Sequence, residues 1–262
     1  MGKVFTQVIN LDDSTDRMSH AAGQMAAAGL DFSRCPGIDG RGRSWARFLP
    51  LYIPPLNYLW FGRHLTGGEL GCYMSHLRAA RAFLKSGARY GLVFEDDCVL
   101  QPEFRETLHS LVDALEAGAC PGWRLINLGK LPHKPEIHTA PMRPLAGVAE
   151  QHLLRCYDFP LTLHGVMWSR RGALDFLLRG WLVMGTVDNW LRSDLAIFGG
   201  GYCLSVPIVR QRQRESVICS EPGADEIRQA TGRKQGWWKT RSQVRARNRR
   251  LWGMRRRRRQ GL

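Results

Sequence analysis

Residues 90–97 read Tyr-Gly-Leu-Val-Phe-Glu-Asp-Asp, and this stretch decides the fold. Its first five residues are largely apolar, as in a buried strand, and three carboxylates follow them directly. In open α/β sheets, ligands bind at the carboxyl ends of the strands. Adjacent carboxylates repel one another unless a cation compensates them, and carboxylate oxygens at a strand end suit Mg²⁺ or Mn²⁺. The stretch therefore predicts a metal site at one edge of a sheet.

The three acids also fit a second interpretation, a solvated acidic turn in which Asp96 caps the next helix. The buried strand before them favours the metal. Because side chains alternate along an extended segment, we expect Glu95 and Asp97 on one side and Asp96 on the other. The sequence has no G-x-x-x-x-G-K-S/T, G-x-G-x-x-G or H-E-x-x-H motif. This argues against a P-loop enzyme, a dinucleotide dehydrogenase and a zinc protease.

Strands and helices alternate around this stretch, which predicts an open α/β sheet with helices on its faces. Residues 66–69, Thr-Gly-Gly-Glu, open a predicted helix that ends at Gly87. Two proline-rich segments, 41–64 and 131–150, are predicted loops. The other predicted helices are 14–28, 102–115, 171–178 and 187–197, and the predicted strands or extended segments are 3–11, 31–35, 124–128, 156–163, 166–169 and 201–209.

The positive charge is concentrated at the end of the chain. Of the 38 Lys and Arg residues, 14 fall in residues 228–262, where there is no acidic residue, so residues 1–227 carry a net charge of only +1. A near-neutral body argues against a uniformly basic nucleic-acid-binding protein. We therefore predict two parts, a globular domain in 1–227 and a basic tail in 228–262.

The tail combines arginines with tryptophans. Its apolar residues fall on one face of a helix at about 100° per residue. A cationic helix with tryptophans on one side is typical of an anionic membrane interface. RNA or DNA binding and a solubilising tail without a partner are the alternatives. The residues predicted to bind the membrane are Trp237, Trp238, Arg241, Arg245 and Trp252.

Two further features bear on the location of the chain. Its first residues lack the apolar stretch of a secretory signal, and no window approaches the roughly 20 apolar residues of a membrane span. The seven cysteines contain no C-x-x-C pair, so we predict that they are reduced and mostly buried. These features predict a cytoplasmic protein that associates with membranes only peripherally.

Four segments occur in the order found in one known family. They are Val-Ile-Asn-Leu at 8–11 with Asp16-Arg17 after it, Gly-Ile-Asp-Gly at 37–40, Thr-Gly-Gly-Glu-Leu-Gly-Cys-Tyr-Met-Ser-His at 66–76, and Leu-Val-Phe-Glu-Asp-Asp at 92–97. With weaker echoes at 164–169, 187–188 and 207–216, the chain resembles glycosyltransferase family 25. Its members are lipooligosaccharide-biosynthesis transferases related to collagen galactosyltransferases. The third and fourth segments together are specific.

The resemblance implies a single Rossmann-like, nucleotide-sugar-binding transferase domain of the GT-A type. Such a domain takes a UDP-sugar together with Mn²⁺ or Mg²⁺. Carried onto this chain, the resemblance makes Asp97 the first metal ligand and Glu95 the second. No histidine follows His164, so Gln211, with Gln213, Glu215 or water as alternatives, would complete the metal site.

The resemblance also implies a donor site. Asn10, Leu11 and Asp39 would line the uridine, and Asp96 would meet the ribose. Arg17 would pair with a phosphate or with Asp39, and a surface ion pair is its alternative role. Helix N-termini bind anions, so Gly68 would approach the diphosphate or the sugar. The predicted donor-binding residues are Asn10, Leu11, Arg17, Asp39, Gly68, Ser75, His76 and Asp96, with helix positioning as the alternative role of His76.

An inverting glycosyl transfer needs a base for the acceptor hydroxyl, usually a carboxylate. Asp188 is the candidate, with Asp158 and Asp194 as rivals. Its alternative role is to cap the helix that begins at Asn189.

These patterns together predict a cytoplasmic glycosyltransferase, peripheral on the inner face of the inner membrane. It would move a hexose, with galactose favoured, from a UDP-sugar to a lipid-linked lipooligosaccharide or lipopolysaccharide acceptor. The alternatives are a nucleic-acid-binding protein or metal-dependent nuclease that uses residues 95–97, and an inactive member of the fold. The near-neutral body disfavours nucleic acid as the partner.

Overall fold

The structure is a computed structural model that describes residues 4–129, 139–145 and 151–212, together with residue 252. The helices are α1 (Thr15–Ala27), α2 (Pro54–Phe61), α3 (Gly67–Lys85), α4 (Phe104–Glu116), α5 (Arg170–Arg179) and α6 (Val187–Phe198), with a 3-10 helix at Trp45–Phe48. The strands are β1 (Val4–Asn10), β2 (Ser33–Pro36), β3 (Tyr90–Glu95), β4 (Cys98–Leu100), β5 (Leu125–Asn127), β6 (Thr139–Pro144), β7 (His152–Cys156), β8 (Gly165–Ser169), β9 (Gly201–Leu204) and β10 (Val209–Gln211).

One mixed sheet of eight strands forms the centre of the fold, in the order β2-β1-β3-β8-β5-β9-β7-β6. β1 pairs in parallel with both β2 and β3, whereas β8 runs antiparallel to β3 and β5. β4 and β10 form a separate antiparallel ribbon. The predicted α/β class is therefore confirmed.

Side chains of β3 pack into the hydrophobic core on both faces of the sheet. Leu92 and Phe94 pack in the cluster that includes residues of α1 and α4, and Val93 packs in the cluster that includes residues of α3, α5 and α6. A Cβ on Gly91 would lie 2.6 Å from the Phe83 ring of α3. The missing side chain at Gly91 thus lets the helix pack closely against the strand.

The first three strands bring the predicted motifs to one edge of the sheet. Ile9 pairs with Glu95, and Asn10 pairs with Pro36. Because β1, β2 and β3 are parallel, their carboxyl ends place Asn10, residues 37–40 and residues 95–97 next to one another.

α3 brings the remaining motif to this edge. Thr66 and Glu69 cap its N-terminus reciprocally, and Arg63 holds the Glu69 carboxylate with two nitrogens at 2.7 and 2.5 Å. A Cβ on Gly40 would lie 1.9 Å from the Gly67 carbonyl oxygen, and a Cβ on Gly71 would lie 2.2 Å from that of Ile38. These glycines let the segment 37–40 lie directly against the start of the helix.

Several predicted elements were wrong. The predicted loop 41–64 contains a 3-10 helix and α2, since Pro54 and Pro55 occupy the first turn, where a helix tolerates proline. Part of the predicted loop 131–150 is β6, an edge strand, where proline is also tolerated. The extended segment predicted at 156–163 is wrong, because β7 covers His152–Cys156 and residues 157–163 are not in a strand.

The predicted strand 201–209 is two strands, β9 and β10, and β4 was not predicted. Except for Trp252, the basic tail and its predicted membrane-binding residues lie outside the described residues. Among the helices that the structure describes, none is both long and apolar enough to cross a membrane. The boundary between body and tail stays a prediction.

Candidate active site

An open cleft with about 730 Å³ of empty space, part of it open to solvent, lies at the carboxyl ends of β1, β2 and β3. The structure brings together all of the predicted donor-binding and metal-binding residues in its lining. They are Asn10, Leu11, Arg17, Asp39, Gly68, Ser75, His76, Glu95, Asp96, Asp97 and Gln211.

A second cleft, of about 740 Å³, contains the predicted base Asp188. Cys72, Glu95 and Gln211 line both clefts. The predicted base and the predicted donor site therefore face spaces that meet at these three side chains.

Asp96 joins β1, α1 and the acidic turn. Asn10 Nδ2 donates to Asp96 Oδ2 at 2.8 Å, and Arg17 Nε donates to Asp96 Oδ1 at 2.6 Å. The Arg17 guanidinium also lies 3.0 Å from Asp97 Oδ2. Asp97 belongs to the turn after β3, and strand alternation therefore ends before it. The expectation that Asp96 faces away from Glu95 and Asp97 is wrong, because all three line the same cleft.

The predicted pair of Arg17 and Asp39 is also wrong. Asp39 instead accepts hydrogen bonds from the backbone nitrogen and the guanidinium of Arg41, with Nε at 2.8 Å from Oδ1. Arg41 reaches Asp13 as well, at 2.6 Å. These contacts hold the pKa of Asp39 below its ordinary value, chiefly through the Arg41 side chain.

Asp97 is only partly satisfied. Gln211 Nε2 donates to Asp97 Oδ2 at 3.0 Å, whereas the buried Oδ1 has no hydrogen-bond partner among the described residues. Burial, followed by the negative charge of Glu95, raises the pKa of Asp97 above its ordinary value. An unpaired carboxylate oxygen in a polar cleft is a candidate ligand for a cation.

Glu95 has the opposite electrostatic environment. Burial opposes its ionisation, but the hydrogen bond and charge of His76, with His164 and Arg17, bring its pKa below its ordinary value. The His76 contact is long, with 3.4 Å between Nε2 and Glu95 Oε1.

The donor chemistry of these residues fits a hard divalent cation. Glu95 and Asp97 supply carboxylate oxygens and Gln211 an amide oxygen, which are the ligand types that Mg²⁺ and Mn²⁺ prefer. The unpaired Asp97 Oδ1 gives such an ion a direct anchor. The alternatives Gln213 and Glu215 lie outside the described residues.

The structure gives Ser75 a structural role and leaves one nitrogen of His76 without a partner among the described residues. Ser75 Oγ accepts from the Ile38 backbone nitrogen at 2.8 Å and donates to the Gly71 carbonyl oxygen at 2.7 Å. Its only proton is therefore used within the protein, and it ties residues 37–40 to α3. His76 is buried beneath the cleft, and its Nδ1 has no hydrogen-bond partner in the described part of the chain.

The structure separates the three candidate bases. Asp158 forms an ion pair with Arg192, and the buried Asp194 with Arg124 and Arg179. Asp188 instead accepts through Oδ1 from Thr186 Oγ1 at 2.5 Å and from the Asn189 backbone nitrogen at 2.8 Å. Thr186 is the cap residue of α6, so the alternative role of Asp188 as the cap is wrong. Asp188 is the one of the three that is not held by arginine in the described structure.

Sequence reasoning missed three side chains that line the cleft or hold a residue of its lining. Arg34 donates to Asn10 Oδ1 at 3.0 Å, and Arg41 holds Asp39. Both arginines lie near the Gly-Ile-Asp-Gly motif at 37–40 in the sequence, and this proximity could have identified them. Cys72 precedes His76 by four residues, a spacing that places both on one helix face.

Comparison with known families settles the membership of the chain. The family model described as glycosyltransferase family 25 (LPS biosynthesis protein) matches residues 3–138. The chain belongs to this family. The match contains residues 95–97 and α3, so every predicted donor-binding and metal-binding residue except Gln211 lies within it.

Three known relatives are similar to parts of this chain. A glycosyltransferase 25 family member of Anopheles gambiae is 33% identical over 131 residues, which cover 47% of this chain and 21% of that protein. Procollagen galactosyltransferase 1-A of Xenopus laevis is 28% identical over 188 residues, covering 70% of this chain and 30% of that protein. The inactive glycosyltransferase 25 family member 3 of Homo sapiens is 39% identical over 92 residues, which cover 35% of this chain and 15% of that protein. The chain thus spans less than a third of the length of these relatives.

Two solved structures are distantly similar. One is a glycosyltransferase involved in the glycosylation of the major capsid of PBCV-1, with a TM-score of 0.45 and 7% identity over 87% of this chain and 98% of that chain. The other is the galactosyltransferase LgtC in complex with donor and acceptor sugar analogs, with a TM-score of 0.40 and 12% identity over 87% of this chain and 95% of that chain.

The opposite pKa shifts of Glu95 and Asp97 predict opposite effects on stability. A lowered pKa means that folding favours the ionised Glu95, so its contribution is present at neutral pH and is lost as the pH falls through that pKa. A raised pKa means that folding favours the protonated Asp97, so stability is lost as the pH rises through that pKa. In chelator-treated protein at pH 7, we expect Glu95→Gln to lower the Tm and Asp97→Asn to raise it.

Thermal unfolding of both variants between pH 4 and pH 8 checks this prediction. The difference between each variant and the parent protein should shrink as the pH approaches 4. A Tm that moves in the same direction for both variants at pH 7 would contradict it.

Proposed function

We propose that this member of family 25 is a glycosyltransferase of the GT-A type that moves a hexose, with galactose favoured, from a UDP-sugar to a lipooligosaccharide or lipopolysaccharide acceptor. The observation that carries the proposal is the convergence of four separate motifs on one cleft. Relatives named as procollagen galactosyltransferases support the choice of galactose. Some relatives are named as inactive, so the activity assays below also test the alternative that this chain is an inactive member of the fold.

The cleft offers distinct surroundings for the two ends of the donor. Around Asn10, Leu11 and Asp39 it has backbone and apolar surface suited to a uridine. The turn 95–97 adjoins this region, because Asn10 donates to Asp96, and it lies beside Arg17. A diphosphate beside the turn would meet the Arg17 guanidinium and the buried start of α3 at Gly68.

Glu95, Asp97 and Gln211 would hold the metal. When bound, Mn²⁺ or Mg²⁺ supplies positive charge that stabilises the leaving diphosphate. Arg17 neutralises part of the charge of Asp96 and Asp97. Gln211 keeps the Asp97 carboxylate in place from the β10 side. The residues of the chain therefore orient the acidic turn whether or not the ion is bound.

Asp188 is proposed as the base that takes the proton of the acceptor hydroxyl. Thr186 and Asn189 fix its carboxylate through a single oxygen, Oδ1. Its cleft meets the donor cleft at Glu95, so an acceptor there would approach the sugar from a side other than the nucleotide. This placement supports an inverting reaction, in which base and leaving group lie on opposite faces of the sugar.

The first test is removal of the proposed metal ligand. We expect Asp97→Ala to lower Mn²⁺-dependent hydrolysis or transfer from UDP-galactose by about 100-fold or more, the effect of losing one strong electrostatic contribution. Asp113→Ala, an exposed acid on α4, is the matched control and should retain activity. A panel of sugar nucleotides with and without Mn²⁺, read by thermal shift, identifies the donor. Full activity of Asp97→Ala would refute the assignment, and so would an RNA probe bound in place of every sugar nucleotide.

The second test separates the base from donor binding. We expect Asp188→Asn to lower kcat for transfer by roughly 10²–10⁴-fold, the usual contribution of a general base. The stabilisation by UDP-sugar and Mn²⁺ should match that of the parent protein, because Asp188 is absent from the donor cleft. A loss of donor binding with unchanged kcat would show that Asp188 is not the base.

We also propose that the enzyme works at an anionic membrane on the cytoplasmic side, and exposed apolar side chains support its contact with a membrane. Trp45, Leu49 and Leu59 expose 50%, 50% and 61% of their surface. Arg43 and Arg47 flank Trp45 in the chain, and with Leu49 they line a groove that adjoins the donor cleft at residues 37–39. Apolar side chains beside arginines suit a bilayer interface, and the basic tail would add to this attraction.

Vesicle binding tests the membrane proposal. The full chain should sediment with vesicles that contain phosphatidylglycerol and not with vesicles of phosphatidylcholine alone. Changing both Trp45 and Leu59 to alanine should weaken binding about tenfold, since half-burying two such side chains contributes at least about 1.4 kcal/mol. Leu174→Ala with Leu178→Ala, exposed on α5, is the control. Equal binding to both kinds of vesicle would contradict the proposal.

A further inference from the structure

Three chemically different ligand groups converge where the two clefts meet. Cys72 Sγ, a ring nitrogen of His76 and a carboxylate oxygen of Glu95 lie within 4.8 Å of one another. No other group of three or more His, Cys, Asp or Glu ligands converges in this way among the described residues. The cluster is distinct from the oxygen ligands Asp97 and Gln211.

The secondary structure fixes this convergence. Cys72 and His76 are four residues apart on α3, so one helical turn presents both to the same side. Glu95 is the last residue of β3, which packs beneath that helix. Ligands on a capped helix and a buried strand are held more firmly than ligands on loops.

The spacing is close to that of a tetrahedral metal site. Zinc lies about 2.0–2.3 Å from sulfur, nitrogen and oxygen ligands, so the ligand atoms of a tetrahedral site stand about 3.3–3.8 Å apart. Contraction from 4.8 Å needs side-chain movement of about 1 Å, and the Glu95 side chain has room for it because 28% of its surface is exposed. Both Cys72 and Glu95 line the clefts, which gives an ion access from solution.

We propose that Cys72, His76 and Glu95 form a binding site for Zn²⁺ or a similar borderline transition metal ion, with water in the fourth position. Thiolate and imidazole ligands select such ions over Mg²⁺ and Mn²⁺, which prefer oxygen alone. Glu95 belongs to both ligand sets. Zinc at this site therefore withdraws Glu95 from the oxygen site, a consequence that rests on the proposed function, whereas zinc binding itself does not.

Cobalt titration of the full chain tests the zinc site directly. A thiolate bound to Co²⁺ gives an intense charge-transfer absorption, which oxygen and nitrogen ligands do not. We expect one equivalent of Co²⁺ to produce this band in the parent protein and Zn²⁺ to abolish it. Cys120→Ala, a buried cysteine outside both clefts, is the matched control and should retain the band.

The band should be absent from Cys72→Ala and from Cys72→Ser, which preserves the size of the side chain. His76→Gln should bind Co²⁺ at least about tenfold more weakly, as expected for the loss of a ligand. Circular dichroism establishes that each variant is folded. No thiolate band in the parent protein, or a band of full strength in the folded Cys72 variants, would overturn the proposal.

Competition between the two ions tests the sharing of Glu95. Electron paramagnetic resonance measures the free Mn²⁺ and so reports its affinity for the protein. We expect the parent protein to bind Mn²⁺ at least tenfold more weakly after one equivalent of Zn²⁺ is added. Zn²⁺ also competes with Mn²⁺ for oxygen ligands, so the sharing predicts that the same addition of Zn²⁺ weakens Mn²⁺ binding less in Cys72→Ala than in the parent protein. An equal loss of Mn²⁺ binding in both proteins would refute the sharing, and so would unchanged Mn²⁺ binding in zinc-loaded parent protein. Failure of Mn²⁺ to bind at all would count against the oxygen site alone, because the cobalt band reports the zinc site independently.

Discussion

The pairing of Arg17 with Asp96 and Asp97 is the interaction on which the arrangement of the cleft depends. A buried strand that ends in three carboxylates concentrates negative charge where water is scarce, and such charges must be paired to be retained. Arg17, projecting from α1, supplies one positive charge to two of them, and Asn10 adds a hydrogen bond from the end of β1. The same contacts that compensate the charge also fix β1, α1 and the acidic turn relative to one another.

This compensation is incomplete in a way that divides the acids into separate roles. Both oxygens of Asp96 are engaged within the protein, so Asp96 has a structural role beside its predicted contact with the ribose. Asp97 keeps a buried oxygen without a partner in the described structure, and its raised pKa expresses the cost. A site that is under-compensated in the free protein gains most from a cation, and the stability of the turn is then linked to what the cleft binds.

The sequence predicted much of this arrangement because its signals were local and the topology was regular. An apolar run before residues 95–97 and parallel pairing of the first strands are enough to place Asn10, Asp39 and the acids at one edge. The partner of Asp39 was not predictable, because Arg41 reaches it through a turn whose geometry has no periodic signature. Likewise, α2 begins with two prolines, a composition that indicates a loop as strongly as a first helical turn.

Glu95 belongs to both proposed ligand sets, the oxygen site with Asp97 and the site with Cys72 and His76. It ends β3, where its carboxylate lies 3.4 Å from His76 Nε2 and its negative charge acts on Asp97. The lowered pKa of Glu95 depends on His76, whereas the raised pKa of Asp97 depends in part on Glu95 itself. Any ion or proton that engages His76 therefore changes the charge that Asp97 experiences. In the proposed sites, the choice between oxygen ligands and the thiolate–imidazole pair thus becomes a property of this one carboxylate, which contacts His76 from the end of β3.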